Sequence, residues 1–145
     1  MWKMNEITCS RYQTAQRAIF NFKECLDEFS NLIEQQPHDQ KKYLVYRYAV
    51  VKRFELAVDT LWKYLKFYLR EKEGVLQNSP KSVLRECLRA RLLTEAETIQ
   101  ALAMIDARNE ATHIYREVVA EELLEKLPDF YKLMDKLITA APASH

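Results

Sequence analysis

The chain has 145 residues, 48% hydrophobic and 30% charged, which is enough to bury one core and too apolar for a disordered chain. Its single glycine, Gly74, leaves too little for the turns of a β-sandwich or barrel and excludes every glycine-rich phosphate loop. With 22 basic and 21 acidic residues the net charge is +1, so no global field draws the chain onto nucleic acid or a membrane, and binding either one needs a local patch.

The first predicted helix runs from about Ser10 to Gln35. Ser10-Arg11-Tyr12-Gln13 has the form of a capping box, and Tyr12, Ala15, Ile19, Phe22, Leu26, Phe29 and Ile33 follow as one apolar stripe. Gln36-Pro37-His38-Asp39 reads as a loop. The second helix, about Asp39 to Glu73, is roughly 50 Å long at 1.5 Å per residue, with Asp39 as N-cap and Gly74 ending it. Tyr43, Tyr46, Tyr48, Tyr64 and Phe67 lie off its main stripe, more aromatic surface than one core face holds, which suggests a second surface to cover. Ser79-Pro80 opens a short third helix to about Arg91, and the capping box Thr94-Glu95-Ala96-Glu97 opens a fourth. A last helix begins between Arg116 and Val119 and reaches about Ala140, with Pro128 expected to kink or divide it. The pattern predicts an all-α, up-and-down bundle of four to five helices as a single domain over residues 1–145, with frayed ends at about 1–8 and 141–145.

Cys9, Cys25 and Cys87 are odd in number and widely spaced, which favours reduced thiols over a disulfide framework or a zinc site. Trp2-Lys3-Met4-Asn5-Glu6 leads into polar sequence, not the apolar stretch of a signal peptide, and no apolar run reaches the length of a membrane span. A cytoplasmic protein off the membrane is the expectation.

Three clusters carry candidate chemistry. Lys81, Arg85 and Arg89 form a basic ridge on the third helix, read either as phosphate-binding or as a solvated face. Glu117, Glu121, Glu122 and Glu125 fit an ordinary acidic helix start, and no Glu-x-x-His partner supports a metal site. The informative stretch is Arg108-Asn109-Glu110-Ala111-Thr112-His113-Ile114-Tyr115, where the apolar stripe pauses and poor helix formers gather. Arg108 and His113 can serve as phosphate-binding or catalytic groups, with Asn109 orienting His113 and Thr112 in support; a hydrogen-bonded polar core cluster is the structural alternative. In one unbroken helix Arg108 and His113 stand about 140° apart, so either the helix breaks between them or two subunits share the site.

At these residues the chain resembles the nucleotidyltransferase substrate-binding proteins, a branch of the HEPN superfamily (higher eukaryotes and prokaryotes nucleotide-binding). The resemblance is carried by Phe54-Glu55-Leu56-Ala57, Leu61-Trp62-Lys63-Tyr64-Leu65-Lys66, Ser79-Pro80-Lys81-Ser82-Val83-Leu84-Arg85 and the R-x4-H-x-Y motif of Arg108, His113 and Tyr115. It spans roughly residues 10–138, with threonine at 112 where serine is expected. It implies a helical homodimer that needs no cofactor and pairs with a separate minimal nucleotidyltransferase. This chain would be the accessory or substrate-binding subunit, holding a nucleotide or RNA phosphate. It also implies the alternative of a metal-independent endoribonuclease toxin using Arg108 and His113, silenced when the partner modifies Tyr115.

Overall fold

Five α-helices are found among the described residues: α1 Glu6–Glu34, α2 Gln40–Glu73, α3 Pro80–Arg89, α4 Glu95–Glu110 and α5 Glu117–Ala140, with a 3-10 turn at Ala111–His113. The computed structural model describes residues 3–35, 37 and 39–143, and no strand occurs among them. The all-α bundle expected from periodicity is the observed fold. Gln36 and His38 of the first loop lie outside the described residues.

Local chemistry sets most of the boundaries. Asp39 caps α2, its carboxylate accepting from the Lys41 and Lys42 N–H groups, and Gly74 ends that helix in the left-handed region at φ 68°. Ser79 caps α3 with Pro80 behind it, and Thr94 with Glu97 forms the reciprocal box that opens α4.

Two local expectations give way to packing. α1 starts at Glu6, not near Ser10, because the Asn5 side chain accepts from the Thr8 N–H at 2.9 Å. Met4, Thr8 and Cys9 are buried, so the first turn is anchored. Ser10 is an interior helical residue whose carbonyl accepts from the Thr14 hydroxyl. Pro128 does not divide α5, which continues from Glu117 to Ala140. The proline ring sits on the exposed side, where the carbonyl it leaves without a donor can meet water, while Leu127 and Phe130 hold the helix to the core.

One apolar cluster joins all five helices. Its centre is aromatic: Phe54 of α2 lies 5.7 Å from Phe22 of α1 and stacks at 5.8 Å on Phe130 of α5. The aromatic excess on α2 is largely covered within the chain. Tyr64 is buried, and Phe67 lies under the guanidinium groups of Arg11 and Arg70 at 4.5 and 4.6 Å. Tyr48 alone of the off-stripe set stays largely exposed. At the far end of the bundle the Tyr64 hydroxyl donates to the Ala141 carbonyl at 2.5 Å, so Ala141 is buried.

That bond links α2 to the end of α5. Tyr64→Phe is expected to lower stability by about 1–2 kcal/mol, because it strands a buried carbonyl; a shifted urea midpoint with unchanged slope checks this. Burial pushes the Cys87 thiol up to about 12. At pH 8 only on the order of one in ten thousand such groups is thiolate, so iodoacetamide should label Cys87 only after the protein is unfolded.

Candidate functional site

The site region is built where α4 stops. The Ala111 N–H reaches both the Ala107 and Arg108 carbonyls, so the helix tightens into a 3-10 turn over Ala111–His113. The Thr112 hydroxyl donates to the Asn109 carbonyl at 3.2 Å and satisfies one of the orphan acceptors of the helix end. Ala111 is buried, and Thr112, His113 and Tyr115 are turned outward.

The helix therefore does break within the motif, and its two halves find different partners. Arg108 reaches across to α2. Its Nε and Nη2 donate to the two oxygens of Asp59, both at 2.9 Å, and its Nη1 lies 3.6 Å from Glu55 Oε2. The hydrogen bonds to Asp59 hold the guanidinium pKa above its usual range, against the opposing effect of burial. The Nε/Nη2 edge of Arg108, one of the two that can grip a phosphate bidentately, is thus occupied by a carboxylate, and Nη1 on the other faces Glu55.

His113 instead meets Tyr115. Its Nδ1 is 3.3 Å from the Tyr115 hydroxyl, and the rings meet nearly edge-on at 5.8 Å between centroids. Tyr115 is 77% exposed. Either the tyrosine O–H donates to Nδ1, or Nδ1–H donates to the tyrosine oxygen; only the second tautomer leaves Nε2 with a lone pair for proton transfer. The Asn109 carbonyl takes the Thr112 hydroxyl, and the polar partner on His113 is Tyr115, not Asn109.

The basic ridge is not continuous in its contacts. Lys81 pairs with Asp106 at 2.7 Å and Arg89 with Glu86 at 3.3 Å, while Arg85 is exposed. Asp106 lies two residues before Arg108, about 200° around α4, so Lys81 faces the other side of that helix. Among the described residues, no group of three or more His, Cys, Asp or Glu side chains is placed to share a metal ion. No described helix is long and apolar enough to cross a membrane.

Sequence reasoning missed the α2 side of the region. Arg47 donates to Glu117 at 2.8 Å, and Lys52 lies 3.5 Å from Glu55, whose Oε1 is buried without a hydrogen bond. Lys52, Glu55 and Asp59 recur at helical spacing beside the buried residues Phe54 and Val58. Carboxylates so close to a buried stripe call for cationic partners from another element, and that was the available signal.

Arg108→Ala is expected to cost about 2 kcal/mol, because it leaves Asp59 without its cation and Glu55 with only its 3.5 Å contact to Lys52. His113→Ala should change stability by less than about 0.5 kcal/mol, as for an exposed side chain. Parallel thermal melts of the two variants check the contrast.

Comparisons with known proteins agree with this architecture. A family model described as nucleotidyltransferase substrate binding protein like matches residues 10–142. A Thermus thermophilus protein of known crystal structure is 34% identical, with a TM-score of 0.67 over 81% of this chain and 96% of that one. A chain from the complex of tri-AMPylated Shewanella oneidensis HEPN toxin with MNT antitoxin shares the fold, with TM-score 0.69 and 14% identity over 94% of this chain and 97% of that one. A chain from a toxin–antitoxin crystal structure with AMP-PNP does so with TM-score 0.64 and 14% identity, over 96% and 100%. No curated protein matches the chain significantly. With the family model covering nearly all of the sequence, the chain belongs to the nucleotidyltransferase substrate-binding protein-like family.

Proposed function

We propose that this chain is the accessory subunit of a two-component system, dimerising and pairing with a separate minimal nucleotidyltransferase. The exposed His113–Tyr115 pair would be the feature presented to nucleotide or RNA phosphate. The reading is supported by the family match over residues 10–142 and by fold similarity to chains from HEPN toxin and MNT antitoxin complexes. The local observation that carries it is the placement of Tyr115: a phenol hydroxyl on a surface turn, 77% exposed and 3.3 Å from the ring nitrogen of His113. Attack of that oxygen on the α-phosphorus of a nucleoside triphosphate, with pyrophosphate leaving and the phenol proton lost to solvent, would set the new phosphodiester directly against the imidazole.

The proposed homodimer draws support from α2. Val45 and Leu56 leave exposed apolar side chains along this helix, at 64% and 49% exposure, on the face that borders α1. Two copies meeting along this helix would bury that apolar surface.

The alternative is a metal-independent endoribonuclease, favoured by one point, that one fold relative comes from a complex named for a HEPN toxin. In that reaction a 2′-hydroxyl oxygen would attack the adjacent phosphorus as His113 accepts its proton. The P–O bond to the 5′ oxygen would break, and that oxygen would leave as a hydroxyl, with a cyclic phosphate behind. Arg108 would have to stabilise the phosphorane with its Nε/Nη2 edge held by Asp59 and its Nη1 beside Glu55, which is why the binding-subunit reading stands first.

Expression without the partner gene tests the order. Intact RNA and normal growth, with stable co-purification of a small nucleotidyltransferase once it is supplied, are the expected results. RNA cleavage that disappears in His113→Ala would reverse the order. Light scattering at micromolar concentration should give about twice the monomer mass, and a monomer would remove the shared-site argument.

A further inference from the structure

A groove of about 370 Å³ runs beside the motif between α2 and the 111–115 turn. That is within the size range of small-ligand sites. Leu44 and Ile114 supply apolar surface, Tyr48 and Tyr115 supply two aromatic rings, and Arg47 and Lys52 supply two cations. Such a mixture fits a flat, partly apolar ring attached to an anion, and it is continuous with the turn that carries His113.

The two cations are not equivalent. Arg47 is held by Glu117 at 2.8 Å, with its pKa raised chiefly by that bond. Lys52 makes only a 3.5 Å ion pair with Glu55 and lies over Tyr48, 5.5 Å from the ring centroid. Its side chain is half exposed, so the ammonium can swing to a phosphate without breaking a hydrogen bond. The face of Tyr48 that it now covers would then be open to a stacked ring.

We propose that this groove is a base-binding subsite, with Tyr48 as the stacking platform for a nucleobase and Lys52 as the contact for the phosphate of the same nucleotide. The inference rests on the reading of the motif as nucleotide-facing, and adds α2 residues that the motif does not contain. The ligand chemistry is a nucleotide unit, either free or within single-stranded RNA. Stacking gives sequence tolerance, and Lys52 gives dependence on salt.

The test uses the full chain and two probes, AMP and a short labelled single-stranded oligoadenylate, followed by calorimetry and fluorescence anisotropy. Tyr48→Leu keeps apolar bulk but removes the ring, and should weaken binding by roughly tenfold or more. Tyr48→Phe should retain the affinity of the unchanged protein. Lys52→Gln should weaken binding and flatten its salt dependence. Phe20→Ala, an exposed ring outside the groove, should change nothing. Loss confined to the oligonucleotide assigns the subsite to RNA, and loss with AMP as well assigns it to a free nucleotide. Unaltered binding by Tyr48→Leu overturns the subsite while the proposed function stands. Failure of the unchanged protein to bind either probe, with its nucleotidyltransferase pairing intact, overturns it too. Light scattering accompanies each variant: binding lost only in step with a lost dimer makes Tyr48 an interface residue and overturns the base contact.

Discussion

The contact between Arg108 and the two carboxylates of α2 organises this end of the bundle. A guanidinium fixed by Asp59 through two parallel hydrogen bonds, with Glu55 beyond it, ties the end of α4 sideways to α2. After that tie, α4 continues only to Glu110. The tightened turn buries Ala111 and leaves Thr112, His113 and Tyr115 on the outside. Around the tie, Arg47, Lys52 and Arg108 meet Glu117, Glu55 and Asp59, so the half-buried charges are balanced rather than isolated. This balance distinguishes the region from an open basic cleft. Any anion entering it must compete with carboxylates already present.

The parts of the fold governed by local rules were legible from the residues alone. Asp39, Gly74, Ser79-Pro80 and Thr94 through Glu97 each satisfy or end a helix with their own side chain or backbone, and they do so where expected. The reading failed where tertiary packing chose between locally acceptable alternatives. Ser10 has the credentials of a cap, but Asn5 caps first, and the burial of Met4, Thr8 and Cys9 makes the extra turn worthwhile. Of the kink or division expected at Pro128, the division does not occur, because Pro128 occupies an exposed position between two core residues that hold α5 in place. The aromatic residues of α2 suggested a second surface to cover because one-dimensional stripes ignore the reach of arginine side chains, which cover Phe67.

The candidate site divides along the same line. Arg108, His113 and Tyr115 stand out by spacing, and helix geometry alone leaves two alternatives for them, a helix break or a site shared by two subunits. Their partners do not, because Asp59 is 49 residues from Arg108 in sequence and reaches it only through the packing of α4 on α2. A motif names the residues on one side of an encounter. The other side here is a helix whose Glu55 and Asp59 would otherwise pass as ordinary surface charges.

The separation of the two halves bears on what the motif can do. Arg108 serves the fold first, since its loss would leave Asp59 without its cation. His113 and Tyr115 make no comparable contribution to the core, and their side chains are exposed. A residue pair so placed is free to be selected for what it meets outside. On the proposed reading that encounter has two components. Tyr115 offers an oxygen within 3.3 Å of an imidazole nitrogen, and the adjoining groove offers Tyr48 and Lys52 from α2. The same short turn joins them, so a ligand or modification at one alters access to the other. Coupling between the tyrosine and the groove then needs no distant conformational change, only occupancy of a shared surface.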